Sequence, residues 1–167
     1  MAFDDEGQVY VTEYGNDRVQ VFTDEGVFVR TWGSEGAGEG QFDNPSGIAV
    51  HGDQVFVADV RNERIHRFDR EGAFQLAWGG EGPKAGMVND LHQLAFDRGG
   101  TLFGAEQFNH RIQSWTRDGE SVAVFGSRGP GDGQLTEPFG VTVADDGTVY
   151  VADTVNGRVS VWVPASP

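Results

Sequence analysis

Val55-Phe56-Val57-Ala58-Asp59-Val60-Arg61-Asn62-Glu63-Arg64-Ile65-His66-Arg67-Phe68 is one of four copies of a single pattern. The others read VYVTEYGNDRVQVF over 9–22, LFGAEQFNHRIQSW over 102–115 and VYVADTVNGRVSVW over 149–162. Aligned arginines Arg18, Arg64, Arg111 and Arg158 fall 46, 47 and 47 residues apart. Each follows an asparagine by two positions (Asn16, Asn62, Asn109, Asn156) and an acid by five (Glu13, Asp59, Glu106, Asp153). Two runs rich in Val, Ile, Phe and Tyr around a short polar segment predict a β-hairpin, with the acid ending one strand and the arginine opening the next. Carboxylate and guanidinium should then face each other, and Asn is expected to supply the left-handed backbone of the turn. One Asp, Asn and Arg in a loop could be a catalytic or phosphate site. Four in register argue for a structural staple, because an active site is built once and a staple in every repeat.

Composition narrows the function classes. With 38% hydrophobic residues in 167, the chain can bury a core, and 25 glycines among β-branched and aromatic residues favour short strands and tight turns. No apolar run is long enough to span a bilayer, and the first residues lack a basic-then-apolar export pattern, so the chain reads as soluble with its compartment open. Twenty-six acids against 12 bases give a net charge of -14, which repels phosphate backbones and weighs against nucleic-acid partners. The absence of cysteine excludes disulfides, thiolate metal sites and cysteine nucleophiles.

Working outward from 55–68, the second repeat adds a strand at Pro45 to Val50, a turn at His51 to Asp53, a turn at Asp69 to Gly72 and a fourth strand at Ala73 to Gly79. The first strand recurs at Gln93 to Phe96 and Gly140 to Val143, the fourth at Val27 to Trp32 and Ser121 to Phe125. Four short strands on a period in the mid-forties predict an all-β propeller of four-stranded antiparallel blades. Trp32, Trp78 and Phe125, with the row Phe22, Phe68, Trp115 and Trp162, are expected to pack between blades. The glycine-rich stretches 33–40, 79–86 and 126–133 lack a helix behind them, as a phosphate cradle needs, and read as crossings from one blade to the next.

Pro45-Ser46-Gly47-Ile48-Ala49-Val50, the Val-Ala-Asp tripeptides, Asn109-His110-Arg111-Ile112-Gln113 and Gly38-Glu39-Gly40-Gln41-Phe42 resemble the NHL-repeat family across nearly the whole chain. The resemblance implies a β-propeller, usually of six blades and commonly closed by an N-terminal strand that completes the last blade. The repeats fall at about 1–42, 43–88, 89–135 and 136–163, in a single domain with a 164–167 tail. Ala2 aligns inside an innermost strand, and the fourth repeat stops before an outermost one. The expectation is therefore an open arc of a larger propeller, whose bare faces favour self-association; a complete four-bladed ring is the alternative.

Chemistry-bearing residues are scattered. In repeat register His51, His66, His92 and His110 occupy four different layers, which argues against one zinc ion. The repeated acids could ring an axis and hold calcium, but the arginine five residues on favours ion pairing. His92 takes the place of Ser46 and Phe139 where an innermost strand enters, and it is the weak metal candidate. The related peptidylglycine α-amidating lyases hold zinc through histidines at such axial positions in several blades, whereas only one blade here has one. An exposed rim histidine is the plainer reading. Variation from repeat to repeat concentrates on the face shared by hairpin loops and crossings, and selects Tyr14, Arg61, His92, Phe108 and Phe139 as candidate binding residues. The leading expectation is a non-catalytic platform for a protein or small-molecule ligand, without a cofactor. A metal-dependent lyase or hydrolase using zinc or calcium comes second. RNA binding, known among family members, comes last because stacking and basic side chains are few.

Overall fold

The computed structural model describes residues 1–163, and every regular element in that range is a β-strand. Blade 1 comprises β1 (Ala2–Phe3), β2 (Val9–Glu13), β3 (Arg18–Phe22) and β4 (Phe28–Trp32). Blade 2 comprises β5 (Pro45–His51), β6 (Gln54–Asp59), β7 (Arg64–Asp69) and β8 (Phe74–Gly79). Blade 3 comprises β9 (Leu91–Phe96), β10 (Leu102–Glu106), β11 (Arg111–Trp115) and β12 (Ser121–Phe125), and blade 4 comprises β13 (Pro138–Val143), β14 (Val149–Asp153) and β15 (Arg158–Trp162). Within each blade sequential strands pair antiparallel in spatial order. The expected tail at 164–167 lies outside the described residues.

Register fixes the ends of every blade. The pairs Glu13 with Arg18, Asp59 with Arg64, Glu106 with Arg111 and Asp153 with Arg158 close the central hairpins. In each loop the left-handed residue is the one after the asparagine: Asp17 at φ 51°, Glu63 at 51°, His110 at 52° and Gly157 at 63°. The expectation that Asn takes this conformation is thereby corrected. The asparagine side chain is needed elsewhere, as a donor to the acid three residues before it.

Side chains on neighbouring strands form two faces per blade, one leading toward the chain start and one trailing. The trailing face of blade 1, with Tyr10, Val19 and Val21, is buried against Ile48, Val55, Val57 and Phe68 on the leading face of blade 2. Phe56, Ala58 and Ile65 meet Leu94, Leu102 and Trp115 at the next junction, and Ala105 and Ile112 meet Val141, Val149 and Val151 at the third. The hydrophobic core is thus three separate layers between blades. Among the described residues the main strand packing runs from each blade to the next and not from blade 4 back to blade 1, so the sheets form an open arc.

The aromatic expectations divide on this geometry. Trp32 packs on Phe68, with ring centroids 5.8 Å apart, and Phe125 on Trp162 at 5.4 Å, in each case across a junction. Trp78 lies beneath the turn of blade 3, where a Cβ on Gly119 would come within 2.7 Å of its ring. Phe22 departs from the pattern: it meets Phe28 of its own blade edge-on at 6.0 Å, as Phe68 meets Phe74 at 6.1 Å, but it has no counterpart to the Trp32 that packs on Phe68 from the blade before. Phe68, fully buried in the first junction, is its covered equivalent. Phe68→Ala should cost ~3–5 kcal/mol, as expected for emptying a buried aromatic site. A urea-denaturation midpoint unchanged from wild type would place the core elsewhere.

Candidate functional site

Each hairpin neck is built around one carboxylate. Asp59 accepts from Arg64 Nε at 2.9 Å, from Asn62 Nδ2 at 2.8 Å and from the Asp43 backbone N–H at 2.7 Å. Asp153 does the same with Arg158 Nε at 2.8 Å, Asn156 Nδ2 at 2.9 Å and the Thr136 N–H at 2.7 Å. Glu106 takes Arg111 Nε at 2.8 Å and Asn109 Nδ2 at 2.6 Å, and Glu13 takes Arg18 Nε at 3.0 Å and Asn16. A further donor, seven residues after the acid, was not identified from sequence: Gln113 Nε2 reaches Glu106 at 3.0 Å and Ser160 Oγ reaches Asp153 at 3.3 Å. Gln20 bonds Glu13 in the same way, and His66 fills the position in blade 2. His66 Nε2 lies 3.5 Å from Asp59, too far for a good hydrogen bond, and the ring is fully buried among Phe42, Phe68 and Phe74. A polar residue at a fixed place in each third strand was the available signal.

The other end of the guanidinium holds the crossing. Arg64 donates to the carbonyls of Ala37, Gly38 and Gln41 at 2.7, 3.1 and 3.0 Å, and Arg158 to those of Pro130, Gly131 and Gln134 at 2.8, 3.0 and 2.8 Å. Arg111 grips Lys84 and Met87 in the same way at 3.1 and 2.9 Å. Inside the first crossing the Gln41 amide fills the space under Gly36, where a Cβ would approach its Oε1 to 2.5 Å at φ 147°. Glycine is required there by sterics and backbone alike. The glycine-rich stretches are therefore tied joints between blades.

Burial affects the carboxylates unequally. It pushes the Glu106 carboxyl above its ordinary range, despite hydrogen bonds from Arg111 and Asn109. It opposes ionisation of Asp59 too, but the approach of His66 and the bonds from the Asp43 N–H, Asn62 and Arg64 outweigh it, and the Asp59 carboxyl is held below its ordinary range. Asp59 therefore contributes stability that is present above the unfolded carboxylate range and lost as pH falls through its lowered folded value. Glu106 has the opposite sign: its ionised form opposes folding at neutral pH, and acidification through its raised folded value relieves this.

The candidate binding residues lie on the face shared by these loops. Tyr14, Phe108 and Phe139 are 49%, 58% and 49% exposed. Arg61 is exposed, with Nε 4.0 Å from Asp43 Oδ1. His92 is different: its side chain is only 12% exposed, stacked on Phe139 at 4.3 Å with Nε2 3.1 Å from Asp90 Oδ2. The expected exposed rim histidine is corrected, because the neighbouring innermost strand brings Phe139 over its ring. The structure brings His92 and Phe139 together and places Tyr14, Arg61 and Phe108 on separate loops. The remaining histidines are apart from it: His51 packs on Phe96 at 4.9 Å, and His110 Nδ1 accepts the Glu137 N–H at 3.1 Å. Among the described residues no three His, Asp or Glu side chains converge as metal ligands.

Removing one member of a staple should be costly where the acid is buried. Arg111→Met should destabilise by ~3–5 kcal/mol at neutral pH, because it leaves Glu106 buried and unpaired. The deficit should shrink on acidification as Glu106 takes up a proton. Arg18→Met, at a staple 40% exposed on its arginine side, should cost far less, because solvent screens the pair. Equal losses in urea titrations of the two variants would show that burial does not set the strength of the staple.

Two segments, 42–68 and 135–162, match the NHL repeat family. A search of curated proteins returned no match. Among solved structures the chain is similar to selenomethionine-substituted virginiamycin B lyase from Staphylococcus aureus, with a TM-score of 0.69 and 18% identity. It is also similar to a catalytically inactive form of that lyase with quinupristin, at a TM-score of 0.67 and 17% identity. Each superposition covers 99% of this chain and 55% of the lyase, so the chain spans about half the length of these proteins. At that identity the likeness speaks for the fold. Repeated sequence, acid-centred staples and blade geometry agree with it: the chain carries NHL-type repeats at two places, and its blades form an open arc of a β-propeller.

Proposed function

We propose that the chain is a non-catalytic platform that binds a protein or small-molecule ligand through its loop face. The supporting observation is the contrast between the two sets of residues on that face. The acids and arginines that recur in every blade are committed to one another and to the crossings, while the residues that vary, Tyr14, Arg61, Phe108 and Phe139, remain exposed. Exposed aromatic side chains and an arginine spread over one face are the composition of an interaction surface, offering apolar area together with a fork of donors. The reading requires no cofactor. Most arginines are already engaged, for example Arg67 with Asp118 at 2.7 Å and Arg98 with Asp145 at 2.6 Å, which leaves an acidic surface poorly suited to RNA.

A second reading draws on the lyase fold similarity and on the His92–Asp90 pair at the mouth of an innermost strand. In it a divalent zinc or calcium ion would serve a lyase or hydrolase. His92 and Asp90 are two ligand types on one blade and need further ligands from outside the described residues.

Affinity capture with immobilised wild type and with an Arg61→Ala/Phe108→Ala double variant separates the two. The platform reading expects the captured species to be lost from the double variant while its circular dichroism spectrum is unchanged. An identical captured set from both proteins contradicts it. Stoichiometric zinc or calcium in the purified protein, released by His92→Ala, would carry the second reading instead.

A further inference from the structure

Blade 4 turns an apolar face outward. Tyr150, Val159 and Val161 are 40%, 64% and 51% exposed, and with Ala152 and Gln93 the first two line a shallow depression of about 330 Å³. At the other end of the arc Val9, Val11 and Phe22 form the uncovered leading face of blade 1, beside exposed Phe3. The two free faces are related through the junction between blades 1 and 2. There Tyr10, Val19 and Val21 are buried against Val55, Val57 and Phe68. By strand register Tyr150, Val159 and Val161 occupy the positions of Tyr10, Val19 and Val21, with the same residue at each. Val9, Val11 and Phe22 likewise occupy the positions of Val55, Val57 and Phe68, again residue for residue. The chain therefore carries six of the eight residues of one of its own buried junctions, all but Phe42 and Ile48, repeated at opposite ends of the arc.

We infer that two copies of this chain associate head to tail, with the trailing face of blade 4 in one copy seated on the leading face of blade 1 in the next. The internal junction provides the docking geometry, and the contact continues the arc with the blade-to-blade packing already used three times in the chain. The six residues at the contact carry no charge, so the net charge of -14 on each copy opposes association only through long-range repulsion, which salt screens. Such a contact is heterologous: the two copies present different surfaces.

Light scattering on the eluting protein tests this with the 167-residue chain itself. The expected mass is at least twice the chain mass of 18.1 kDa, with the associated fraction rising as salt is added. Phe22→Glu and Val161→Glu, each at an uncovered face, should separately reduce association by at least tenfold while leaving the circular dichroism spectrum unchanged. Mixing the two variants should restore a dimer, because the pair retains one intact junction. A monomeric wild type would overturn the inference. So would a Phe22→Glu protein that still associates, since tail-to-tail contact does not involve Phe22, or a mixture that stays monomeric.

Discussion

A carboxylate sunk at the neck of a hairpin is the point on which each blade depends. It collects an arginine from the facing strand, an asparagine from the loop and, in blades 2 and 4, a backbone N–H from the chain entering the blade. Burying that charge alone would be prohibitive, and charge-assisted bonds from several directions make it tolerable. The arginine then extends to carbonyls of the preceding crossing, so one residue closes a hairpin and locks two blades together. A crossing rich in glycine can hold its shape because it is gripped from outside.

With the joints fixed in this way, the apolar surface has a defined partner. The strands are buried by the neighbouring sheet, and stability accumulates junction by junction as in other repeat proteins. The innermost strands approach most closely: a Cβ on Gly47 would meet the His92 carbonyl at 2.9 Å. On the other side of the same strand the His92 ring stacks on Phe139 of blade 4.

Sequence made the repeat, the strand order and the acid–arginine register legible, because spacing alone determines which residues face one another across a hairpin. It misassigned the left-handed turn residue. Asn62 and Glu63 are both plausible there, and only the geometry shows that the Asn62 amide is engaged with Asp59 and the Gly36 carbonyl. The grip of Arg64 on residues 37–41 was also hidden, since the acceptors are backbone carbonyls that leave no trace in residue identity. Phe22 and Phe68 look equivalent in sequence and differ only in whether another blade lies in front of them. The candidate binding residues were chosen by their departure from the repeat, a criterion that locates variation without naming its partner.

Backbone hydrogen exchange across the first crossing tests the central claim most directly. If the staples lock the blades, the Asp43 and Phe42 amides, bonded to the Asp59 carboxylate and the Ser34 carbonyl, should be protected about as strongly as those of the central strands. In Arg64→Met the 36–43 amides should lose that protection while those of the central strands in the other blades keep it. Crossing amides that exchange as freely as an unstructured loop in the wild-type protein would contradict the account.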